Sequence, residues 1–282
     1  MKLLTLNIHS RPETDARVMR LLAARIVSEG IDVVALQEIN QSMAAPVIRQ
    51  SIPGRCPLPD DAPSLPIKQD NALLTLTDEL RKQGCAYYWA WLPVKCGYDC
   101  YDEGLALLTR RPPRTFTAPW LSECRDAGNW RTRRALGVLC ENRWFYTVHM
   151  GRWDDEKEPF ARQWERLRRH CASHGGQTFL MGDFNCPADA RRGGYDRMLA
   201  DDYYDTYAMA DSRHGSATAA GGIDGWHDGR PAAPLRIDLI LSNQPCRVLS
   251  SRTLFDGCDG ERISDHCAVL AELADGGGVA GA

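Results

Sequence analysis

Apolar positions along this chain repeat in two rhythms. Short runs at residues 2–6, 32–37, 87–92, 104–109, 135–140, 144–149, 177–181, 235–241 and 267–273 are apolar or β-branched and bounded by polar residues, which predicts strands. Over residues 15–28, Val18, Leu21, Leu22 and Ile26 recur at helical spacing, and Gly30 supplies a stop. Residues 71–82 and 158–170 predict two more helices. The strand–helix–strand opening points to an α/β protein. Residues 43–66 are rich in Pro and small side chains and read as a long loop, a feature that often carries function. No repeat or linker divides the chain, so residues 1–274 are expected to form one domain and the Gly/Ala-rich 275–282 a fraying tail.

Composition narrows the class. A chain of 282 residues, 44% hydrophobic and 25% charged, can bury a sizeable core. Its net charge of −3 counts against duplex DNA as the main partner. Eleven Cys are scattered without a disulfide framework, so a reducing cytoplasm is expected. Residues 1–7 start like an export signal, but the apolar run is too short and turns polar at Asn7, and no run is long enough to span a membrane. Cys96 and Cys100 form half of a metal-binding spacing and have no second pair, which leaves them structural.

Candidate chemistry sits where apolar runs end. Asn7 and Glu38 each close a predicted strand, and neighbouring strands would set an amide beside a carboxylate. Hard cations take such oxygens and keep waters for a substrate phosphate, and Asp265 could add another oxygen. In Gly182-Asp183-Phe184-Asn185, Asp183 can position or deprotonate a water and Asn185 can hold it; a plain Asp/Asn turn would look the same. Asp238 interrupts a buried run and needs a partner, for which His266 is the natural candidate. That pair is either a catalytic dyad or a core histidine satisfied by a structural Asp. His149 ends a further strand.

These segments, in this order from Asn7 to His266, resemble the endonuclease/exonuclease/phosphatase superfamily with its deoxyribonuclease I-like fold. The resemblance implies a four-layer α/β/β/α sandwich of two mixed sheets and a metal-dependent phosphoric ester hydrolase using Mg²⁺, or Mn²⁺. It implies Glu38 as main metal ligand with Asn7 and Asp265 nearby. It further implies Asp183 and Asn185 positioning nucleophile and phosphate, Asp238 orienting His266 as the base, and His149 stabilising the phosphoryl group. Segments such as Asn129-Trp130-Arg131-Thr132-Arg133 and Ile223-Asp224-Gly225-Trp226 resemble a narrower group, the bacterial maltose 6′-phosphate phosphatases and their relatives. That implies a small phosphorylated sugar as partner.

Loop aromatics agree with a sugar. Tyr101, Trp130, Trp153 and Trp226 fall in predicted loops, and flat rings pack on the C–H faces of sugars; alternatively they plug the sandwich edges. Asp102, Glu103 and Asp224 could accept sugar hydroxyls, and Arg131 and Arg133 could grip phosphate. The second reading is a nuclease on the same fold, which should carry basic loops. A third, a binding module without catalysis, predicts a missing ligand, and none is missing.

Overall fold

The computed structural model describes residues 1–11, 16–190, 193–219 and 234–274. Its elements in chain order are β1 (Lys2–Asn7), α1 (Ala16–Glu29), β2 (Val33–Ser42), α2 (Ala72–Lys82), β3 (Tyr88–Gly97), β4 (Tyr101–Thr109) and β5 (Thr115–Thr117). Next come β6 (Ala135–Cys140), β7 (Arg143–His149), α3 (Phe160–His174), β8 (Gln177–Asp183), α4 (Gly194–Ala200), β9 (Tyr204–Asp205) and α5 (Thr206–Met209). β10 (Ala210–His214), β11 (Asp238–Ser242), β12 (Val248–Leu254) and β13 (Ala268–Leu273) complete the described chain.

Alternation along the strands builds the layers. In β1, Leu4 and Leu6 bury against Met19, Leu22 and Ile26 of α1 and Leu73 and Leu76 of α2, while Leu3 points the opposite way. Leu3, Val33, Ala35 and Leu107 meet Val138, Phe145, Phe179, Met181 and Ile240 in a core between two sheets. Beyond the second sheet, Tyr146, Val148, Leu180 and Leu239 pack on Trp164 and Leu167 of α3 and Met198 of α4. Each large apolar side chain removed from water contributes about 1.5–3 kcal/mol, so three continuous clusters fix the sandwich. One sheet has seven strands in the order β10-β12-β13-β1-β2-β4-β3, the other six in the order β5-β6-β7-β8-β11-β9. Both are mixed: β1–β2 and β7–β8 are parallel, β1–β13 and β8–β11 antiparallel. Helices thus cover both outer faces, giving the expected four layers.

The long loop over 43–66 contains no helix or regular strand and is pinned by bridges Val47↔Lys68 and Arg55↔Trp89. Its Leu58 and Ala62 pack on the inter-sheet core. α2 starts as its sequence dictates, with the Asn71 side chain accepting from the Leu73 N–H at 3.0 Å. The third helix begins at Phe160, later than expected, because Pro159 disfavours helical backbone at Glu158 before it and stands itself as the N-cap. The segment 97–104, read as a loop, is instead a hairpin: β3 runs on to Gly97 and β4 resumes at Tyr101. Cys96 and Cys100 flank its turn. All eleven Cys are free, and no helix among the described residues is long and apolar enough to cross a membrane.

Candidate active site

The inter-sheet face of the strands turns from apolar to polar at one end. Leu3-Thr5-Asn7 in β1, Phe145-Thr147-His149 in β7 and Phe179-Met181-Asp183 in β8 follow the strand period of two, each ending in a polar group. Registry then aligns them. His149 lies opposite Asp183, and Asp183 opposite Asp238, so three titratable groups form a row across the second sheet. Asn7 and its register partner Gln37 supply the facing edge of the first. Gln37 Nε2 donates to Thr147 Oγ1 at 2.8 Å and ties the sheets together beneath this row.

Glu38 reaches the same place by breaking the period. Regular alternation would send it outward with Val34 and Leu36. A bulge shifts the β2–β4 register between Leu36 and Ile39, and Glu38 adopts φ +53°. Its carboxylate is thereby brought to Asn7, whose Nδ2 donates to Glu38 Oε1 at 2.9 Å and to Asp183 Oδ2 at 3.2 Å. His9 and Asn185, both at φ +47°, also occupy left-handed backbone. Such conformations cost on the order of 1–3 kcal/mol each and gather where side chains must be aimed. Gly182 is required too: at φ +148°, a Cβ there would lie 2.0 Å from the Val148 carbonyl oxygen.

These groups line a cleft of about 430 Å³, together with Lys95, Cys96, Gly97, Tyr98, Glu103, Trp130, Arg133, Arg152, Asp265 and His266. Asp238 stands behind, its Oδ2 2.8 Å from His266 Nδ1. His266 Nε2 lies 3.8 Å from Asp183 Oδ2, and His149 Nε2 lies 3.7 Å from the same oxygen. The Asn185 backbone N–H donates to Asp183 Oδ1 at 2.7 Å. On the other side, His9 Nδ1 meets Asp265 Oδ2 at 3.2 Å and its Nε2 meets the Tyr98 hydroxyl at 3.1 Å. Ser264 Oγ donates to the Asn7 carbonyl at 2.8 Å, joining the Ser264-Asp265-His266 turn to β1.

Charge is unevenly spread. Burial, aided by the neighbouring Asp238 charge, raises the Asp183 carboxyl to about 7 against the pull of His266. Burial opposes a charge on His266, yet Asp238, Asp183 and Asp265 outweigh it and hold the imidazole at about 10, protonated at neutral pH. His149 goes the other way: burial, then Arg133 and Lys95, push it well below its ordinary value and keep it neutral. Burial and Glu103 raise Glu38, whereas Asp265, despite burial, is drawn down to about 2 by His9 and His266. The resemblance implies His266 as the base; its surroundings favour the protonated imidazole, and those of Asp183 a raised carboxyl beside it.

The cleft suits a hard cation. Asn7, Glu38, Asp183 and Asp265 present oxygen donors to one cavity, and Glu38 and Asp183, held above their usual range chiefly by burial, would ionise more readily beside a cation. Asp183, Asp238 and His266 also bring ligand atoms within 4.8 Å of one another and could hold a metal ion. Asp238 and His266 already meet in a hydrogen bond, so the more open set around Glu38 fits better.

The substrate candidates separate. Trp130, Arg133 and Glu103 line the cleft. Glu103, expected to accept a sugar hydroxyl, instead pairs with Lys95 at 2.9 Å. Arg131, expected at the phosphate, is bound to Asp155 at 2.6 Å and stacks on Trp130, 4.1 Å from the ring centre. Tyr101 packs edge-on to Tyr98, and neither it nor Trp153 lines the cleft. Asp102 is bound by Lys68 at 2.8 Å. Asp224 and Trp226 lie outside the described residues. Sequence reasoning passed over Lys95, Tyr98 and Arg152; Tyr98 at a hairpin tip between two tight-turn residues was the signal available. His9 stood in the Leu6-Asn7-Ile8-His9 segment without a role.

The model of the endonuclease/exonuclease/phosphatase family matches residues 4–266. No curated protein sequence matches the chain. Among solved structures, an endonuclease/exonuclease/phosphatase family protein from Leptotrichia buccalis C-1013-b superposes with TM-score 0.82 at 26% identity, covering 98% of this chain and 100% of that one. A mannosyl-6-phosphatase from Bacteroides thetaiotaomicron VPI-5482 gives TM-score 0.63 at 16% identity, over 98% and 100% of the two chains. A 3′ phosphatase from Neisseria, bound to a product DNA hairpin, gives 0.61 at 19%, over 97% and 99%. The last two likenesses concern the fold alone. With two face-to-face mixed sheets, a cleft assembled from the ends of both, and a family model running almost the length of the chain, this protein belongs to the endonuclease/exonuclease/phosphatase family of phosphoric ester hydrolases and has its deoxyribonuclease I-like sandwich.

Proposed function

We propose that the chain is a divalent-metal-dependent phosphomonoesterase acting on a phosphorylated sugar, a disaccharide phosphate such as maltose 6′-phosphate. The observation that carries this reading is the cleft itself. Its volume of about 430 Å³ is that of a small-molecule pocket, and Tyr98 and Trp130, 52% and 47% exposed, stand along it. Each ring is backed by a protein group, Tyr98 by the His9 ring at 6.0 Å and Trp130 by Arg131. Aromatic faces propped in this way suit the C–H face of a sugar. A nuclease would offer basic residues to a backbone; here Lys95 is paired with Glu103 and Arg152 with Asp154.

Asn7, Glu38 and Asp265 would hold the cation, Mg²⁺ or Mn²⁺. When bound, it polarises a phosphoryl oxygen and offsets the carboxylate charge. Asp183, held by the Asn185 backbone N–H and the Asn7 amide, takes the proton of the attacking water. His266, kept protonated by Asp238, donates from Nε2 to a phosphoryl oxygen, and neutral His149 donates a second N–H. The whole site belongs to one domain, 1–274, and eleven free thiols suit a reducing cytoplasm.

The test is phosphate release with Mg²⁺ over a panel of maltose 6′-phosphate, glucose 6-phosphate and trehalose 6-phosphate, with nicked duplex DNA alongside. Chelator-sensitive selectivity for one disaccharide phosphate is expected. Trp130→Ala should raise KM for that sugar about two- to twelvefold, since ring stacking is worth about 0.5–1.5 kcal/mol, and leave a small alkyl phosphate unaffected. DNA cleavage without sugar-phosphate turnover would overturn the reading.

A further inference from the structure

Among the described residues Arg133 is a buried cation with no carboxylate in direct contact; Glu103, Asp183, Glu38 and Asp155 act on it only from a distance. Its side chain is 5% exposed, and no carboxylate among the described residues lies within 4.0 Å of its guanidinium. Nη1 donates to the Trp130 and Thr132 carbonyls at 2.7 and 3.0 Å, and Nε has no acceptor among the described residues. Burying a charge in this way is costly unless an anion completes the site. Arg133 lines the cleft with Glu38, Asp183, His149 and His266. Its neighbour Arg134 shows that burial alone does not make the case. Arg134 is also buried with orphaned nitrogens, but it stacks 4.1 Å over Trp120, bonds the Ala118 carbonyl and lies outside the cleft.

Phosphate mono- and diesters differ by one anionic oxygen. A monoester is largely a dianion at neutral pH, its second ionisation lying near about 6. In a cleft walled by carboxylates that second charge needs a fixed cation. Lys95 is already committed to Glu103. We propose that Arg133 is the selectivity residue of the cleft, pairing with the additional terminal oxygen that a phosphomonoester has and a phosphodiester lacks. This rests on the phosphatase reading above. Because Arg133 also holds the carbonyl of Trp130, it sets the distance between the phosphate grip and the ring platform.

The experiment compares p-nitrophenyl phosphate with bis(p-nitrophenyl) phosphate, in Mg²⁺, for the wild type, Arg133→Met, Arg133→Lys and Arg134→Met, and measures inhibition by inorganic phosphate. Arg133→Met should lower kcat/KM for the monoester at least about 100-fold, the usual cost of losing one fixed donor to an oxyanion, and for the diester less than about fivefold. Arg133→Lys should fall between, since an ammonium keeps the charge without the fork. The inhibition constant for phosphate should rise in parallel, and Arg134→Met should leave the monoester-to-diester ratio unchanged. An unchanged ratio in Arg133→Met, or an equal collapse in Arg134→Met, overturns the proposal. Should Arg133→Met not fold, an unaltered ratio and phosphate inhibition in Arg133→Lys overturn it instead. A wild type that turns over only the diester refutes the phosphatase reading itself, and does so before any variant is made.

Discussion

Replacing Asp238 by Asn removes one charge from behind the cleft and almost no volume. Asp238 is buried, meets His266 Nδ1 at 2.8 Å, and is the foremost of the carboxylates that raise His266. His266 stands at about 10 against an ordinary 6.5. At about 1.4 kcal/mol per pH unit, that difference amounts to roughly 5 kcal/mol favouring the imidazolium, gained over the opposing effect of burial. Without the Asp238 charge, burial regains the upper hand and the imidazole pKa drops through neutrality. Nδ1–H then still points at the Asn carbonyl, and Nε2 offers a lone pair where a phosphoryl oxygen needs a donor. At pH 8 kcat/KM should fall about 1,000-fold, or about 4 kcal/mol. The ratio of variant to wild-type activity should climb as pH is lowered and the imidazole recharges, since protonation of Asp183 acts on both enzymes. The assays are phosphate release across pH 5.5–9 and ¹⁵N NMR of the His266 ring, with and without Mg²⁺. A wild-type His266 that is neutral at pH 7, or an Asp238→Asn enzyme keeping more than a tenth of wild-type kcat/KM at pH 8, would refute the assignment of His266 as proton-holding donor.

Three further outcomes are expected. Asp183 and Glu38 have folded-state pKa values raised above their unfolded ones, so the stability they contribute is present at low pH and is lost as pH rises through the folded value, about 7 for Asp183. The rise in thermal midpoint on adding Mg²⁺ should therefore be larger at pH 8 than at pH 5, and equal shifts would count against a carboxylate metal site. Glu38→Gly should abolish turnover yet raise the midpoint of the chelator-treated protein by about 2–4 °C, because it relieves a left-handed residue worth about 1 kcal/mol and removes a carboxyl disfavoured by burial; a lower midpoint would show that the bulge is not strained. Gly182→Ala should cost about 3 kcal/mol or more, since its Cβ meets the Val148 carbonyl at 2.0 Å, and should depress kcat even well below its midpoint by parting His149 from Asp183; calorimetry with parallel kinetics decides this.

Much of the sandwich was legible because burial on both faces leaves near-continuous apolar runs, as in β1, β2, β7 and β8. β12 was missed because Ser250, Ser251 and Arg252 interrupt its apolar character near the sheet edge. β3 seemed to end at Leu92 since Pro93 follows, yet the register shift between Pro93 and Lys95 absorbs the missing donor and carries the strand on to the Tyr98 turn. That one misreading hid Lys95 and Tyr98 from the cleft and put Tyr101 in a loop. The gathering of Asn7, Asp183 and Asp238 follows from strand ends and parity. The placement of Glu38 does not, because a bulge has no side-chain period to announce it. Nor does the word loop say where a side chain points, which is why Arg131 and Trp153 looked equivalent to Arg133 and Trp130.

β1 lies between β2 and β13, and the Met1 amino group donates to the Leu273 carbonyl at 3.0 Å. During synthesis β1 and β2 emerge from the ribosome first of these strands, but the seat beside β1 stays vacant until β13 follows more than 200 residues later. His266 and Asp265 arrive only then. Until β13 is made, Asn7 and Glu38 therefore stand without Asp265 and His266, with an exposed edge strand as their neighbour. Such long-range closure is slow and leaves that edge open to mispairing. Ribosome-stalled chains ending before β13 should accordingly show no esterase activity and should bind holdase chaperones, with both properties switching together once the final strand is released.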